Sequence, residues 1–296
     1  MVEAGARRWT RFAVVVFLSA APLAGACSNG PSSETSIATT AVSSESIEGT
    51  FDVGGHELFI TCEGTGTPTI VYLHSANPDQ SYDPHLDGLG FQRELQDEYR
   101  VCLYDRRNNG HSETVDAVQT PDDALTDLRN LLAAAQVEPP YVMLGSSLGG
   151  LLAYLYANLY AEEVAGIVML DSPIPEELSL EHFFPPEMRI EAFREQEEGS
   201  VERISGFSLL ERSQDFIGRE PAIPVTYFSS IPEGRGAHDF GQDPEYNEVV
   251  LEVQEAFVDR FAPGTYIRVD APHLMEHAIP DQIVEAVRNV IIQAGS

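Results

Sequence analysis

The chain contains no lysine, so its 17 basic residues are all arginines, and they face 47 aspartates and glutamates. The formal net charge at pH 7 is −30. A field of this sign repels nucleic acids and anionic membrane surfaces, and no run of basic residues offers a binding patch. We therefore expect no nucleic-acid partner and no polyanionic substrate.

Cysteine is also scarce, with three residues in the whole chain, and no Cys/His spacing is typical of a zinc site. Asp83, His85 and Asp87 alternate in one short stretch, and a solvated loop explains them better than a metal cluster does. We expect the protein to use neither a metal nor a cofactor.

Long apolar runs are missing except near the N-terminus, where residues 12–26 carry no charge and are mostly apolar. Three arginines precede this run. It is too short for a comfortable membrane span and has the size of the apolar region of a signal peptide. Residues 1–27 are therefore predicted to direct export.

The signal peptide ends in small residues followed by Cys27, which resembles a bacterial lipoprotein signal. Cys27 would then carry the lipid, and the protein would sit in the cell envelope on the outer face of the membrane, touching it only through that anchor. Cleavage by an ordinary signal peptidase, with secretion, is the alternative. Residues 28–47 are rich in Ser and Thr and predict a flexible tether, and residues 48–296 form one domain.

The most informative stretch is Gly-x-Ser-x-Gly at Gly145, Ser147 and Gly149. Four apolar residues, 141–144, precede it and an apolar, helix-prone segment, 151–157, follows it. Strand, sharp turn and helix are the context in which this motif lifts its central serine out of the turn, and the flanking glycines are small because the turn is tight. Ser147 is thereby predicted at the carboxyl end of a buried strand, where open α/β sheets bind ligands.

Strand and helix signals alternate along the rest of the domain. Strands are predicted at 50–53, 57–62, 69–73, 99–104, 141–144, 166–170, 224–229 and 266–269, and helices at 122–135, 151–157 and 280–294. The first two strands flank Gly54-Gly55-His56 and predict a hairpin. The alternation predicts an α/β fold whose mostly parallel sheet is covered on both faces.

Five segments together resemble the α/β-hydrolase fold family in order and spacing. They are IVYLHS (70–75), YDRRNNGHS (104–112), LGSSLGG (144–150), VAGIVMLDS (164–172) and VDAPHLMEHAIPDQI (269–283). The resemblance covers residues 48–296. It implies a mostly parallel eight-stranded sheet flanked by helices, with a small helical lid at about 173–222 between the sixth and seventh strands.

The resemblance also implies a serine nucleophile activated by a histidine. A serine hydroxyl is a poor nucleophile at neutral pH and needs an adjacent base. Ser147 is the expected nucleophile, and His273, just beyond the last strand and before the last helix, is the expected base. His277 lies four residues too late in the pattern, and His238 sits in a polar loop without a motif.

Three carboxylates compete for the role of the acid that orients the histidine. Asp171 ends the strand after the nucleophile helix, a position that some branches of the family use, and it is our first choice. Glu233 lies four residues past Ser229, where most members carry the acid, and Asp239 follows in the same loop.

The family stabilises the oxyanion with two backbone N–H groups. Here they would come from Leu148, after the nucleophile, and from Ala76, in the loop after the third strand. Asn77 is the second choice for the loop donor, because Ser75 replaces the glycine that usually follows His74.

A disulfide between Cys62 and Cys102 is expected. In the fold that the chain resembles, their strands are antiparallel neighbours, and an exported protein meets oxidising surroundings. Two buried free thiols are the alternative.

These features predict a serine hydrolase that cleaves a small or medium carboxylic ester. The serine argues against the family's dehalogenases and epoxide hydrolases, which use an aspartate at that position. Amide or lactone hydrolysis and cofactor-free perhydrolysis remain open to the same triad, and so does a binding protein that kept the fold and lost turnover.

Overall fold

A computed structural model describes residues 46–77, 83–183, 201–230 and 244–295. The export signal, Cys27 and nearly all of the tether lie outside these ranges, so lipid attachment and export stay predictions. Within the described ranges, no helix is both long and apolar enough to cross a membrane.

Eight strands form one sheet in the order β1-β2-β4-β3-β5-β6-β7-β8. They are β1 Ile47–Asp52, β2 Glu57–Glu63, β3 Thr69–Leu73, β4 Val101–Tyr104, β5 Tyr141–Ser146, β6 Val164–Leu170, β7 Val225–Ser229 and β8 Gly264–Arg268. β2 runs antiparallel to both of its neighbours, and every other pair is parallel. The predicted mostly parallel, eight-stranded sheet is confirmed.

Helices cover both faces of the sheet. They are α1 Pro84–Leu95, α2 Pro121–Ala134, α3 Leu148–Leu159, α4 Gly206–Ser213, α5 Pro244–Val258 and α6 Pro280–Ala294. The apolar residues of α2, α3 and α5 pack on one face, and those of α1 and α6 pack on the other. The inner strands β3, β4, β5 and β7 are buried along their whole length, because parallel strands between two helical layers have no solvent face.

Cys62 and Cys102 are joined by a disulfide with an S–S distance of 2.07 Å. The two residues lie directly opposite each other in the antiparallel register of β2 and β4. The expected pairing is therefore present, and it ties the antiparallel edge of the sheet to its parallel part.

The expectation that Asp83, His85 and Asp87 form a solvated loop is wrong. Asp83 is the N-cap of α1, and its carboxylate accepts a hydrogen bond of 3.0 Å from the backbone N–H of His85. The His85 ring lies between Thr61 and the buried Asp105, 2.9 Å from each. These contacts explain the residues as parts of a helix start, and the described ranges contain no cluster of His, Cys, Asp or Glu arranged to hold a metal ion.

The structure describes the two ends of the segment between β6 and β7, where a lid is predicted, and residues 184–200 lie outside the described ranges. A 3₁₀ helix at Pro175–Phe183 lies in the first part of this segment. α4 and a second 3₁₀ helix at Gln214–Phe216 lie in its last part. An ion pair from Arg260, just after α5, to Glu176 at 2.5 Å and to Glu220 at 2.7 Å ties both ends to the body of the domain.

Candidate active site

The turn between β5 and α3 holds Ser147 in a strained conformation, with φ 49° and ψ −120°. Such a backbone persists only where its surroundings over-determine it. Here the Ser147 N–H donates to the carbonyl of Leu170 at 2.8 Å. A side chain on Gly145 would meet the backbone of Gly149 and Gly150 at 2.5 Å, and one on Gly149 would collide with the carbonyl of Leu73. The motif's glycines are thus required by close packing.

Ser147, His273 and Asp171 form a continuous chain of contacts. The Ser147 Oγ is 3.0 Å from His273 Nε2, and His273 Nδ1 is 2.6 Å from Asp171 Oδ2. Asp171 and Ser147 lie 102 and 126 positions before His273 in the chain. The three residues meet because β5 and β6 end side by side and the loop after β8 reaches over them. The geometry is that of a nucleophile, its base and the base's orienting acid.

Asp171 is the candidate acid that the structure places against His273. It follows β6, is 1% exposed and has a φ of 44°. Its carboxylate also accepts hydrogen bonds from the N–H of Ser230 at 3.0 Å and from the Ser230 hydroxyl at 2.5 Å. Glu233 and Asp239 lie outside the described residues.

Sequence reasoning missed Ser230, which stands directly after β7. Most relatives in the resembled family carry their acid after this strand, so the position itself was a signal that some group there would serve the histidine. In this chain a serine at that point contacts the acid of the neighbouring strand.

The pKa values of the two partners move in opposite directions. Burial opposes the charge of Asp171, but hydrogen bonds from His273 and Ser230 outweigh it and hold the Asp171 pKa below its ordinary value. Burial likewise opposes the His273 cation, but the hydrogen bond and charge of Asp171 outweigh it and raise the His273 pKa. An ionised Asp171 accepts a hydrogen bond from the N–H at Nδ1 of His273, and in the neutral ring Nε2 is then able to accept one from the Ser147 hydroxyl.

The two predicted oxyanion donors differ in how the structure places them. Leu148 is the first residue of α3, so its N–H lies in the first helical turn and has no intrahelical acceptor. Ala76 is exposed in the loop after β3. The N–H of Asn77, the second choice, donates instead to the buried carboxylate of Glu202. Ala76 therefore remains the better loop donor for an incoming oxyanion.

The other histidines near this edge do not join the chain. The His277 ring is 70% exposed and contacts Asp87 at 3.2 Å. His238 lies outside the described residues.

Comparisons with known proteins agree with the architecture. A family model described as the alpha/beta hydrolase fold matches residues 68–209. The uncharacterized protein YqjL of Bacillus subtilis (strain 168) is 26% identical over 195 residues, which cover 64% of this chain and 74% of that protein.

Solved structures show the same fold at low sequence identity. A thermophilic esterase from Thermogutta terrifontis superimposes with a TM-score of 0.57 at 20% identity, covering 85% of this chain and 100% of that one. The enol-lactonase from Burkholderia xenovorans LB400 gives a TM-score of 0.55 at 18% identity, covering 82% and 100%. The chain therefore has the α/β-hydrolase fold.

Proposed function

We propose that the protein is a serine hydrolase that cleaves a small or medium carboxylic ester through an acyl-enzyme. The observation that carries the proposal is the unbroken contact chain from the Ser147 hydroxyl through His273 to the buried Asp171. A serine hydroxyl in contact with an imidazole whose far nitrogen is held by a carboxylate is the arrangement that acyl transfer needs.

The reaction follows from these positions. His273 Nε2 takes the proton of the Ser147 hydroxyl while Oγ attacks the carbonyl carbon of the ester. The oxyanion is held by the N–H groups of Leu148 and Ala76, and His273 gives its proton to the departing alcohol. Water then attacks the acyl-serine with His273 again as the base, and the acid and free serine result. Asp171 stays ionised and stabilises the imidazolium.

Lactone hydrolysis is the second candidate, because one of the matching structures is an enol-lactonase. A lactone is an internal ester, so the same attack opens it and the alcohol remains on the acyl chain. Amide hydrolysis and perhydrolysis would use the same triad. A binding role without turnover is disfavoured, since the triad contacts are complete.

We further propose that the domain works at the outer face of a membrane, tethered through lipid on Cys27. This proposal is supported by the apolar segment and small residues before Cys27 and by the Ser/Thr-rich stretch that follows. The substrate would reach the site from the surrounding fluid, because a chain with a net charge of −30 is repelled by an anionic surface.

The test is hydrolysis of p-nitrophenyl esters of rising chain length by the wild type, Ser147→Ala and Ser146→Ala. The Ser146 hydroxyl is buried and has no hydrogen-bond partner among the described residues, so its loss is a matched control. We expect Ser147→Ala to retain less than about a hundredth of the wild-type rate and Ser146→Ala to retain most of it. Larger residual activity in pure, folded Ser147→Ala protein would contradict the assignment of Ser147 as the nucleophile.

A further inference from the structure

A buried ion pair lies against the loop that follows β3, the loop proposed to supply an oxyanion donor. Arg106 follows β4, and Glu202 belongs to the returning end of the segment between β6 and β7. Their side chains are 4% and 2% exposed, with Nε–Oε2 at 2.7 Å and Nη2–Oε1 at 2.9 Å. Such a two-point contact fixes orientation as well as distance.

Both members of the pair also bind the backbone of that loop. Arg106 donates to the carbonyl of His74 at 2.8 Å and to the carbonyl of Ser75 at 2.7 Å. The Glu202 carboxylate accepts the N–H of Asn77. The pair therefore holds the loop on both sides of Ala76.

Peptide planarity turns these contacts into an orientation for the Ala76 N–H. The peptide bond between Ser75 and Ala76 is not among the cis bonds of the chain, and in a trans peptide the C=O and the following N–H point in opposite directions. Because Arg106 binds the Ser75 carbonyl, the Ala76 N–H points away from Arg106. The loop lies beside the nucleophile turn, since a side chain on Gly149 would also meet the His74 carbonyl, at 2.6 Å.

Glu202 is itself held in place by the backbone around it. The Glu202 carbonyl accepts the Gln119 side-chain amide at 2.6 Å, and the carbonyl of Arg203 accepts the Gln119 backbone N–H at 2.7 Å. Ile204 then pairs with Gln119 in an isolated parallel bridge. The carboxylate thus reaches the loop from a fixed anchor.

We propose that Glu202 and Arg106 are positioning residues that set the Ala76 oxyanion donor, an inference that rests on the proposed function. The segment between β6 and β7 would then do more than cover the substrate, because its returning end completes the catalytic geometry. The competing explanation is that the pair only stabilises the fold. Replacing a buried ion pair by apolar residues of similar volume often costs little stability, so the two explanations can be separated.

The experiment compares two double variants with the wild type. Arg106→Met/Glu202→Met removes the pair under the loop. Arg260→Met/Glu220→Met removes a second ion pair that holds the same segment, with a Glu220 side chain only 3% exposed. The other polar partners of this pair are Glu176 and Tyr154, which lie outside the loop. kcat and KM are measured on the best p-nitrophenyl ester, alongside amide hydrogen exchange of the peptide that spans residues 74–77.

Loss of one oxyanion donor lowers kcat by about 100- to 1,000-fold, so a displaced donor should cost about tenfold or more. We expect that fall for Arg106→Met/Glu202→Met, with KM within about threefold and faster exchange in residues 74–77. The control should keep kcat within about threefold. A smaller fall in the first variant, or an equal fall in both, overturns the inference.

The first variant could fail to fold, and the wild type could be inactive; each result has its own consequence. If Arg106→Met/Glu202→Met does not fold, Glu202→Gln replaces it with Glu220→Gln as its control, under the same thresholds. If the folded wild type hydrolyses no ester and its serine does not react with a fluorophosphonate, the proposed function and this inference both fall. An active wild type with an unaffected first variant overturns the inference alone.

Discussion

Ser147 and Asp171 both adopt positive φ angles, 49° and 44°, that side chains other than glycine rarely occupy. Each such residue costs on the order of 1–3 kcal/mol. Both are held by backbone hydrogen bonds to the next strand along the sheet, from Ser147 to Leu170 and from Asp171 to Phe228, each at 2.8 Å. The strained backbone directs both side chains to His273. Strain of this kind clusters at active sites, so it supports the proposed catalytic role.

The pH dependence of kcat/KM follows from the raised pKa of His273. Only neutral His273 can take the serine proton, so activity falls as the pH drops through that pKa. We expect the half-maximum of kcat/KM above the ordinary histidine value of about 6.5. The check is a profile from pH 5 to 9 on a neutral ester, and a flat profile would contradict the role of His273.

Asp171→Asn is the matching variant, because the amide keeps the shape and loses the charge. The inflection should move to lower pH, since the anionic partner that raises the His273 pKa is gone. kcat should fall by roughly three to four orders of magnitude as the ring takes the wrong tautomer. An unchanged inflection in this variant would show that another carboxylate holds the histidine.

The candidate site residues were predicted from one local motif and from positions in the fold that the chain resembles. Ser147 was predicted from its flanking glycines, while Asp171 and His273 came from family position, and the structure brings all three together. Ser230 and Glu202 were missed. Their partners lie 59 and 125 positions away in the chain, and no local pattern encodes such contacts.

Among the secondary-structure elements, the sheet was predicted well and two helices were not. β3 and α6 have the predicted bounds, and other strand ends differ by a few residues. α1 was missed because Gly88 and Gly90 weaken its helical signal. Gly88 is needed there, since a side chain would collide with Leu103 and Tyr72 beneath it. Tertiary packing thus requires a residue that helix propensity disfavours. α5 is the second helix that was not predicted from the sequence.

Two glycine-to-alanine substitutions test the packing of these elements. A methyl group on Gly149 would collide with the backbone carbonyls of Leu73 and His74, whereas Gly90 in α1 has open space around its Cα. Gly149→Ala should lower the free energy of unfolding by several kcal/mol and abolish hydrolysis, since backbone cannot move aside as a side chain does. Gly90→Ala should raise stability by up to about 1 kcal/mol. Urea unfolding measures the free energy of unfolding of both variants, and ester hydrolysis measures their activity. A stable, active Gly149→Ala protein would contradict the turn geometry.

At the scale of the whole molecule, an excess of negative charge works against compactness. A net charge of −30 on 296 residues makes the folded chain repel itself. The Cys62–Cys102 disulfide counteracts this effect, because it lowers the conformational entropy of the unfolded chain.

Removing the disulfide with Cys62→Ala/Cys102→Ala should lower the free energy of unfolding by roughly 3 to 4 kcal/mol, given its sequence separation of 40. The pair lies between β2 and β4, away from β5 and β6, so kcat at 25 °C should change little. Urea unfolding and ester hydrolysis of the two proteins are compared. Equal stabilities would mean that the bond contributes nothing, and a large loss of kcat in folded protein would mean that it also shapes the site.

The central claim, that Ser147 is an activated nucleophile, is tested most directly by reaction with a fluorophosphonate. Intact mass and peptide mapping are recorded for the wild type, Ser147→Ala and Ser146→Ala at pH 8. The account predicts one phosphonyl group per chain, on the peptide containing Ser147, in the wild type and in Ser146→Ala, and none in Ser147→Ala. An unlabelled wild type, or a label that persists in Ser147→Ala, would contradict it.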